Sequence, residues 1–236
     1  MTNQMPVFVY SMVPRQTTSY KNFFEAGPLA LLLENPGQVR GAGWDLTTNS
    51  RARIVKGDYI ELTSGERKRI QVYEDGSVFV RVSAANDYLS WGLNENNFRD
   101  MSRLNTLALI EFSFNFCKLC STLTRYMEPQ PSEVELTVEI RGAFFGESKL
   151  FLVPHPVSSY GFMFADDRCI APEPSTMRRL SVATEQLQSQ PEVVAFLLVR
   201  QIFLWFGASP DRIPYSSGEQ NLKFIDENKI RNSRSS

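Results

Sequence analysis

The chain predicts an α+β fold, an antiparallel β-meander with two long buried helices packed on one face. Three stretches carry this prediction. Residues 51–83 alternate between apolar and polar, residues 104–127 are largely apolar with no Pro or Gly to break a helix, and residues 190–206 form a second largely apolar stretch. Strands joined by short turns pair antiparallel, and the helices that follow must bury their apolar sides against that sheet.

Residues 7–13 are rich in Val, Phe and Tyr and end at Pro14, which predicts a strand. Leu29 to Glu34 predicts a short helix with Pro28 in its first turn, closed by Asn35-Pro36-Gly37. Gly41-Ala42-Gly43-Trp44-Asp45 lacks the Lys-Ser/Thr ending of a phosphate loop and leads into strands, so a bend is expected there.

Residues 52–62 and 67–83 read as two successive hairpins, turning at Lys56-Gly57-Asp58 and Glu74-Asp75-Gly76. In the second hairpin, pattern selects register. A two-residue turn would set Val72 against Phe79 and Ile70 against Arg81, mixing apolar and charged groups. A three-residue turn with Gly76 left-handed sets Val72 against Val78 and Ile70 against Val80. A one-residue slip exchanges the faces, so the cleaner alternation is predicted. Ile54, Ile60 and Leu62 extend the same apolar face.

Residues 88–100 are Asn-rich and predict a loop or short turn. The stretch 104–127 has neither Pro nor Gly. Glu111, Asn115, Lys118, Thr122 and Arg125 fall on one narrow stripe at 100° per residue, and the rest of the circumference is apolar. A helix of this length spans roughly 36 Å. Charges at mid-depth argue for a core helix rather than a membrane span. Leu107, Phe112, Phe114 and Phe116 should be buried. The turn at Pro129–Pro131 is the only candidate subdomain boundary, near 128–132, in an otherwise single domain covering 1–236. Val134, Leu136, Val138 and Ile140 alternate with polar residues and predict a half-buried strand, and 149–153 predicts another. Residues 158–174 read as irregular. Ser189 with Glu192 reads as a capping box ahead of a helix over 190–206, with Pro191 in its first turn and Gly207 as its stop.

Composition excludes more than it asserts. The 236 residues are 42% hydrophobic and 22% charged, with net charge −1, so no global field draws the chain to nucleic acid or membranes. No basic segment followed by an apolar run opens the chain, and three cysteines suit a reducing, cytoplasmic setting. The only histidine, His155, lies between two prolines, and there is no Gly-x-Ser-x-Gly elbow. Cys117 and Cys120 lie inside the long helix, with only His155 and Cys169 as further soft ligands, so core cysteines are expected. No cofactor and no metal are predicted.

The face opposite the apolar one brings together Arg53, Tyr59, Arg69, Tyr73, Phe79 and Arg81. Arginines interleaved with aromatics on a sheet can hold single-stranded nucleic acid by stacking and phosphate contacts. Ordinary cross-strand pairs, Arg53 with Glu61 and Tyr73 with Phe79, account for the same residues. The acidic residues of the segment also cancel much of its charge.

The run Arg40-Gly-Ala-Gly-Trp-Asp-Leu46, followed by ERKRIQVYEDGSVFVRVSA at 66–84, resembles the portion C-terminal to the DNA-binding module in bacterial Schlafen/AlbA-type proteins. The resemblance covers the β region and the long helix and implies an accessory or sensing domain. It carries no functional residue onto this chain. The expectation is therefore a non-enzymatic cytosolic binding or sensor domain, accessory to nucleic-acid-associated proteins, with single-stranded nucleic acid or a protein as partner. The competing class is a hydrolase-type enzyme with a site of scattered Asp, Glu and Arg residues, for which Asp45, Asp166 and Asp167 are the first candidates.

Overall fold

The computed structural model describes residues 6–23, 39, 46, 51–55, 57, 59–84, 88–89, 103–145, 148–153, 169–219 and 222–233. Its main sheet has seven strands, β1 (Val7–Pro14), β2 (Arg51–Val55), β3 (Tyr59–Ser64), β4 (Lys68–Tyr73), β5 (Val78–Ser83), β6 (Glu133–Arg141) and β7 (Ser175–Ala183). They lie in the order β7-β6-β1-β5-β4-β3-β2. Every neighbouring pair is antiparallel. The predicted meander is β2 to β5. The N-terminal strand β1 extends it by pairing with β5, and β6 and β7 follow on the far side of β1.

The predicted register of the second hairpin is the observed one, with Val72 opposite Val78 and Ile70 opposite Val80. Gly76 closes the turn at φ +86°, in the left-handed region. Its amide donates to Tyr73 O at 3.1 Å, and Tyr73 N–H donates to Ser77 O at 2.8 Å.

The long helix α1 spans Thr106–Leu123 and closes in a 3-10 turn at Thr124–Tyr126. It starts two residues later than predicted because Arg103–Asn105 pairs in parallel with Phe151–Val153 as a short strand. Asn105 then caps the helix, its side chain accepting from the amides of Leu107 and Ala108. Phe112, Phe114 and Phe116 are buried as predicted, while Leu107 is half-buried. The stripe is less polar in setting than in composition. Glu111 and Asn115 are fully buried, Lys118 and Thr122 reach solvent in part, and Arg125 is exposed.

Tyr10 joins helix to sheet. Its ring lies 5.4 Å from that of Phe112 and 5.3 Å from that of Phe116. Its hydroxyl lies 3.0 Å from Ser113 Oγ. Ser113 spends its single proton on Leu109 O at 2.8 Å, so Tyr10 is the donor to Ser113.

α2 (Thr184–Ser189) and α3 (Pro191–Trp205) follow β7 directly. The predicted capping box does not form. Ser189 ends α2 and its hydroxyl donates to Glu185 O at 2.7 Å, which leaves Gln190 as the cap of α3 without a side-chain bond. Pro191 does sit in the first turn of α3. Gly207, at φ +74°, ends the helix, with Gly207 N–H donating to Leu204 O and Ala208 N–H to Phe203 O. That pair of bonds is a Schellman motif. The short α4 (Glu227–Asn232) docks on the helical layer through Ile230, which is fully buried, and through Lys118 Nζ, which donates to Glu227 Oε2 at 3.1 Å. Buried apolar residues from Phe8 to Ile230 form one core.

β7 is the strand that the sequence reading missed. Its inward positions are Thr176, Arg178, Leu180 and Val182, and of these only Val182 is buried. Arg178 in the middle of that set breaks the apolar alternation that identifies a half-buried strand.

Candidate functional site

The period-2 alternation of each strand divides the sheet cleanly. One side faces the helices through Phe8, Tyr10, Ile60, Ile70, Val80 and Leu136, all fully buried. On the other side, register aligns residues in rows that cross the whole sheet. One row runs Arg53, Glu61, Gln71, Phe79, Ser11, Thr137, Arg179. The next runs Arg51, Thr63, Arg69, Arg81, Val9, Glu139, Met177. Seven strands at the usual spacing make such a row about 29 Å long.

The six candidate residues all occupy this outer face by register. Tyr59, Tyr73 and Phe79 make a connected aromatic cluster over β3, β4 and β5. The Tyr59 and Tyr73 rings are 4.9 Å apart and tilted, and Tyr73 meets Phe79 edge-on at 5.6 Å. Tyr73 lies diagonal to Phe79 rather than opposite it, because Phe79 faces Gln71. Phe79 is 36% exposed, a large value for a phenylalanine on a strand. Burial, with Tyr59, Glu61 and Asp75 nearby, raises the Tyr73 phenol above its ordinary range, so it remains a neutral donor.

Arg69 and Arg81 are exposed and directly opposite each other. Like charges in that position repel. Each has a carboxylate at long range, Arg69 with Glu61 at 3.7 Å and Arg81 with Glu66 at 3.9 Å. Glu61 is nearly buried and also accepts from Gln71 Nε2 at 3.0 Å. Arg53 stands opposite Glu61, the pairing expected from the sequence; its side chain lies outside the described residues.

Charge is distributed unevenly over the face. On β2 to β5 the outward positions hold Arg51, Arg53, Arg69 and Arg81 against Glu61 alone. On β6 and β7 they hold Glu133, Glu135 and Glu139 against Arg141 and Arg179. The basic half coincides with the aromatic cluster. The described C-terminal residues sit with the helices, through Ile225 and Ile230, and not on this face.

Sequence reasoning missed the contribution of β1, β6 and β7, which extends the face with Ser11, Thr137, Glu139 and Arg179. The alternation in 7–13 and 133–141 held the signal for the first two strands. Their adjacency to β5 is a property of topology. Cys117 and Cys120 are fully buried, and burial pushes both thiols well up, so they stay protonated. Among the described residues, no group of three or more His, Cys, Asp or Glu could hold a metal ion. His155, Asp45, Asp166 and Asp167, like the 41–45 run, lie outside the described residues. Among the described residues no helix is long and apolar enough to cross a membrane.

No protein-family model, no curated protein and no solved structure matches this chain.

Proposed function

We propose that this chain is a non-enzymatic, cytoplasmic binding domain whose outer sheet face holds an anionic, planar partner, with single-stranded nucleic acid the best fit. One observation carries the reading. The connected rings of Tyr59, Tyr73 and Phe79 lie beside two opposed, exposed arginines, Arg69 and Arg81. Such a surface offers π-faces to bases and guanidinium donors to phosphates. An anion between Arg69 and Arg81 also relieves their mutual repulsion. The three cysteines are free thiols, which supports the compartment. The proposal takes nothing from the Schlafen/AlbA resemblance beyond the accessory role it implies.

Each stacked base contributes about 1–3 kcal/mol, and each phosphate contact adds a salt-dependent term. The test is fluorescence anisotropy with a labelled single-stranded oligonucleotide at low and moderate salt. Wild type should bind weakly and lose affinity as salt rises. The Arg69→Ala/Arg81→Ala pair should bind less tightly and with a log–log salt slope shallower by about 1.4, two single-strand phosphate contacts' worth. Phe79→Ala should weaken binding with the slope unchanged. Equal binding by all three proteins would reduce the face to a set of cross-strand pairs.

A further inference from the structure

The geometry points to a phosphate-binding notch in the middle of the outer sheet face, floored by the hydroxyls of Ser11 and Thr137 and flanked by Phe79 and Arg179. The notch rests on the reading of that face as a nucleic-acid surface, and it gives the bound strand a direction. The strand crosses the sheet from β5 toward β7, with one phosphodiester seated over the two hydroxyls. The four residues stand side by side in one row. Phe79 is opposite Ser11, Ser11 is opposite Thr137, and Thr137 is opposite Arg179. Three strand spacings, about 14 Å, separate the first from the last.

The floor holds polar groups that the fold itself leaves unused. Ser11 and Thr137 are each 9% exposed, although both stand on the outward side of their strands. Short side chains between a phenylalanine and an arginine make a depression in the face. Neither hydroxyl has a hydrogen-bond partner among the described residues. Hydroxyls directly opposite on paired strands commonly bond each other, and these two do not. Their Cβ atoms are about 5 Å apart at such a position, so one oxyanion above them accepts from both. A nearly buried hydroxyl without a partner is costly, and a ligand oxygen removes that cost.

Arg179 brings the positive charge. It is exposed, and among the described residues its side chain bonds only Met177 Sδ, at 3.4 Å, a weak acceptor. Glu135 and Glu139 lie diagonally from it on the same face. Both are already held, Glu135 by Arg15 and Glu139 by Arg141 through bonds of 2.7 and 2.6 Å. The Arg179 guanidinium is therefore left without a carboxylate among the described residues, and its planar fork suits bidentate contact with a phosphate. On the other flank, the Phe79 ring offers its face to the adjoining base. A nucleotide stacked there has Arg69 and Arg81 on the β4–β5 side and Arg179 on the β7 side. Cations on both sides of a stacking ring match a strand, which carries a phosphate on each side of every base.

The test carries the anisotropy titration of the labelled single-stranded oligonucleotide to Arg179→Gln and to Ser11→Ala/Thr137→Val. Neither variant removes an ion pair or a hydroxyl's internal hydrogen bond, so circular dichroism should match wild type. Arg179→Gln should make the log–log salt slope shallower by about 0.7, one single-strand phosphate contact. Ser11→Ala/Thr137→Val should weaken binding about tenfold with the slope unchanged, since it deletes neutral donors to a charged acceptor. Wild-type affinity and slope in both variants, with Arg69→Ala/Arg81→Ala still impaired, would overturn the notch and leave the aromatic face standing. No binding by wild type at low salt would overturn both. Displacement of the oligonucleotide by inorganic phosphate at matched ionic strength would assign the notch to the free ion and overturn the crossing strand.

Discussion

Tyr10 and Ser113 show how a buried polar contact can be asymmetric. Tyr10 donates to Ser113, and Ser113 donates to Leu109 O. Tyr10→Phe removes one donor and leaves Ser113 satisfied through the helix, so it should cost about 1 kcal/mol. Ser113→Ala leaves the Tyr10 hydroxyl buried without its acceptor and should cost about 1–3 kcal/mol despite the smaller change in volume. Urea unfolding of the two variants checks the order. Glu227 illustrates the charged case. Burial raises its carboxyl pKa, but hydrogen bonds from Arg231 and Lys118 outweigh burial and hold it below its ordinary value of 4.5. A depressed carboxylate stabilises the fold above its unfolded pKa and loses that contribution as pH falls through the folded value. Glu227→Gln should therefore melt lower than wild type at pH 7, with the difference closing as the pH drops below about 4. A constant difference across that range would separate α4 docking from the charge.

Elements end where backbone geometry requires it, and two glycines allow the cost to be divided. Gly207 closes α3 at φ +74°, with nothing within 4 Å of where a Cβ would stand. Gly76 closes the β4–β5 turn at φ +86°, but there a Cβ would meet Pro14 Cγ at 2.9 Å, Met127 Cε at 3.0 Å and Thr18 Cγ2 at 3.1 Å. Gly207→Ala should cost only the left-handed penalty, about 1–2 kcal/mol. Gly76→Ala should cost that plus overpacking of about 1–3 kcal/mol. Equal destabilisation in chemical denaturation would mean that the Pro14–Thr18 segment yields without cost. The Gly76 turn also sets the register that turns Phe79 and Arg81 outward, so the same variant should weaken oligonucleotide binding in proportion to the register it loses.

At the scale of the whole molecule, the sheet's two faces differ in what they carry. One face is closed by α1 and α3, and the other carries a basic, aromatic half and a charge-balanced half. The balanced half ends at β7.

Local physics in the sequence determined a good deal of this. The alternation in 67–83 requires one hairpin register, because a slip would bury Arg81 and expose Val80. The absence of Pro and Gly between 104 and 127, with apolar residues on nearly all sides, requires a buried helix. That the six residues from Arg53 to Arg81 share an outward face follows from the same period-2 argument. Tertiary structure decided the rest. Whether β1 sits at an edge or in the middle of the sheet depends on contacts between residues more than a hundred positions apart, as in Tyr10 opposite Val138. The half-exposed strand β7 has no apolar period to announce it, and it is a strand because β6 supplies nine pairing partners. The burial of Glu111 and Asn115 is likewise a matter of what covers the stripe, since composition alone reads it as wet. Side-chain period is a property of the chain itself, whereas burial and edge position belong to the neighbours the fold provides.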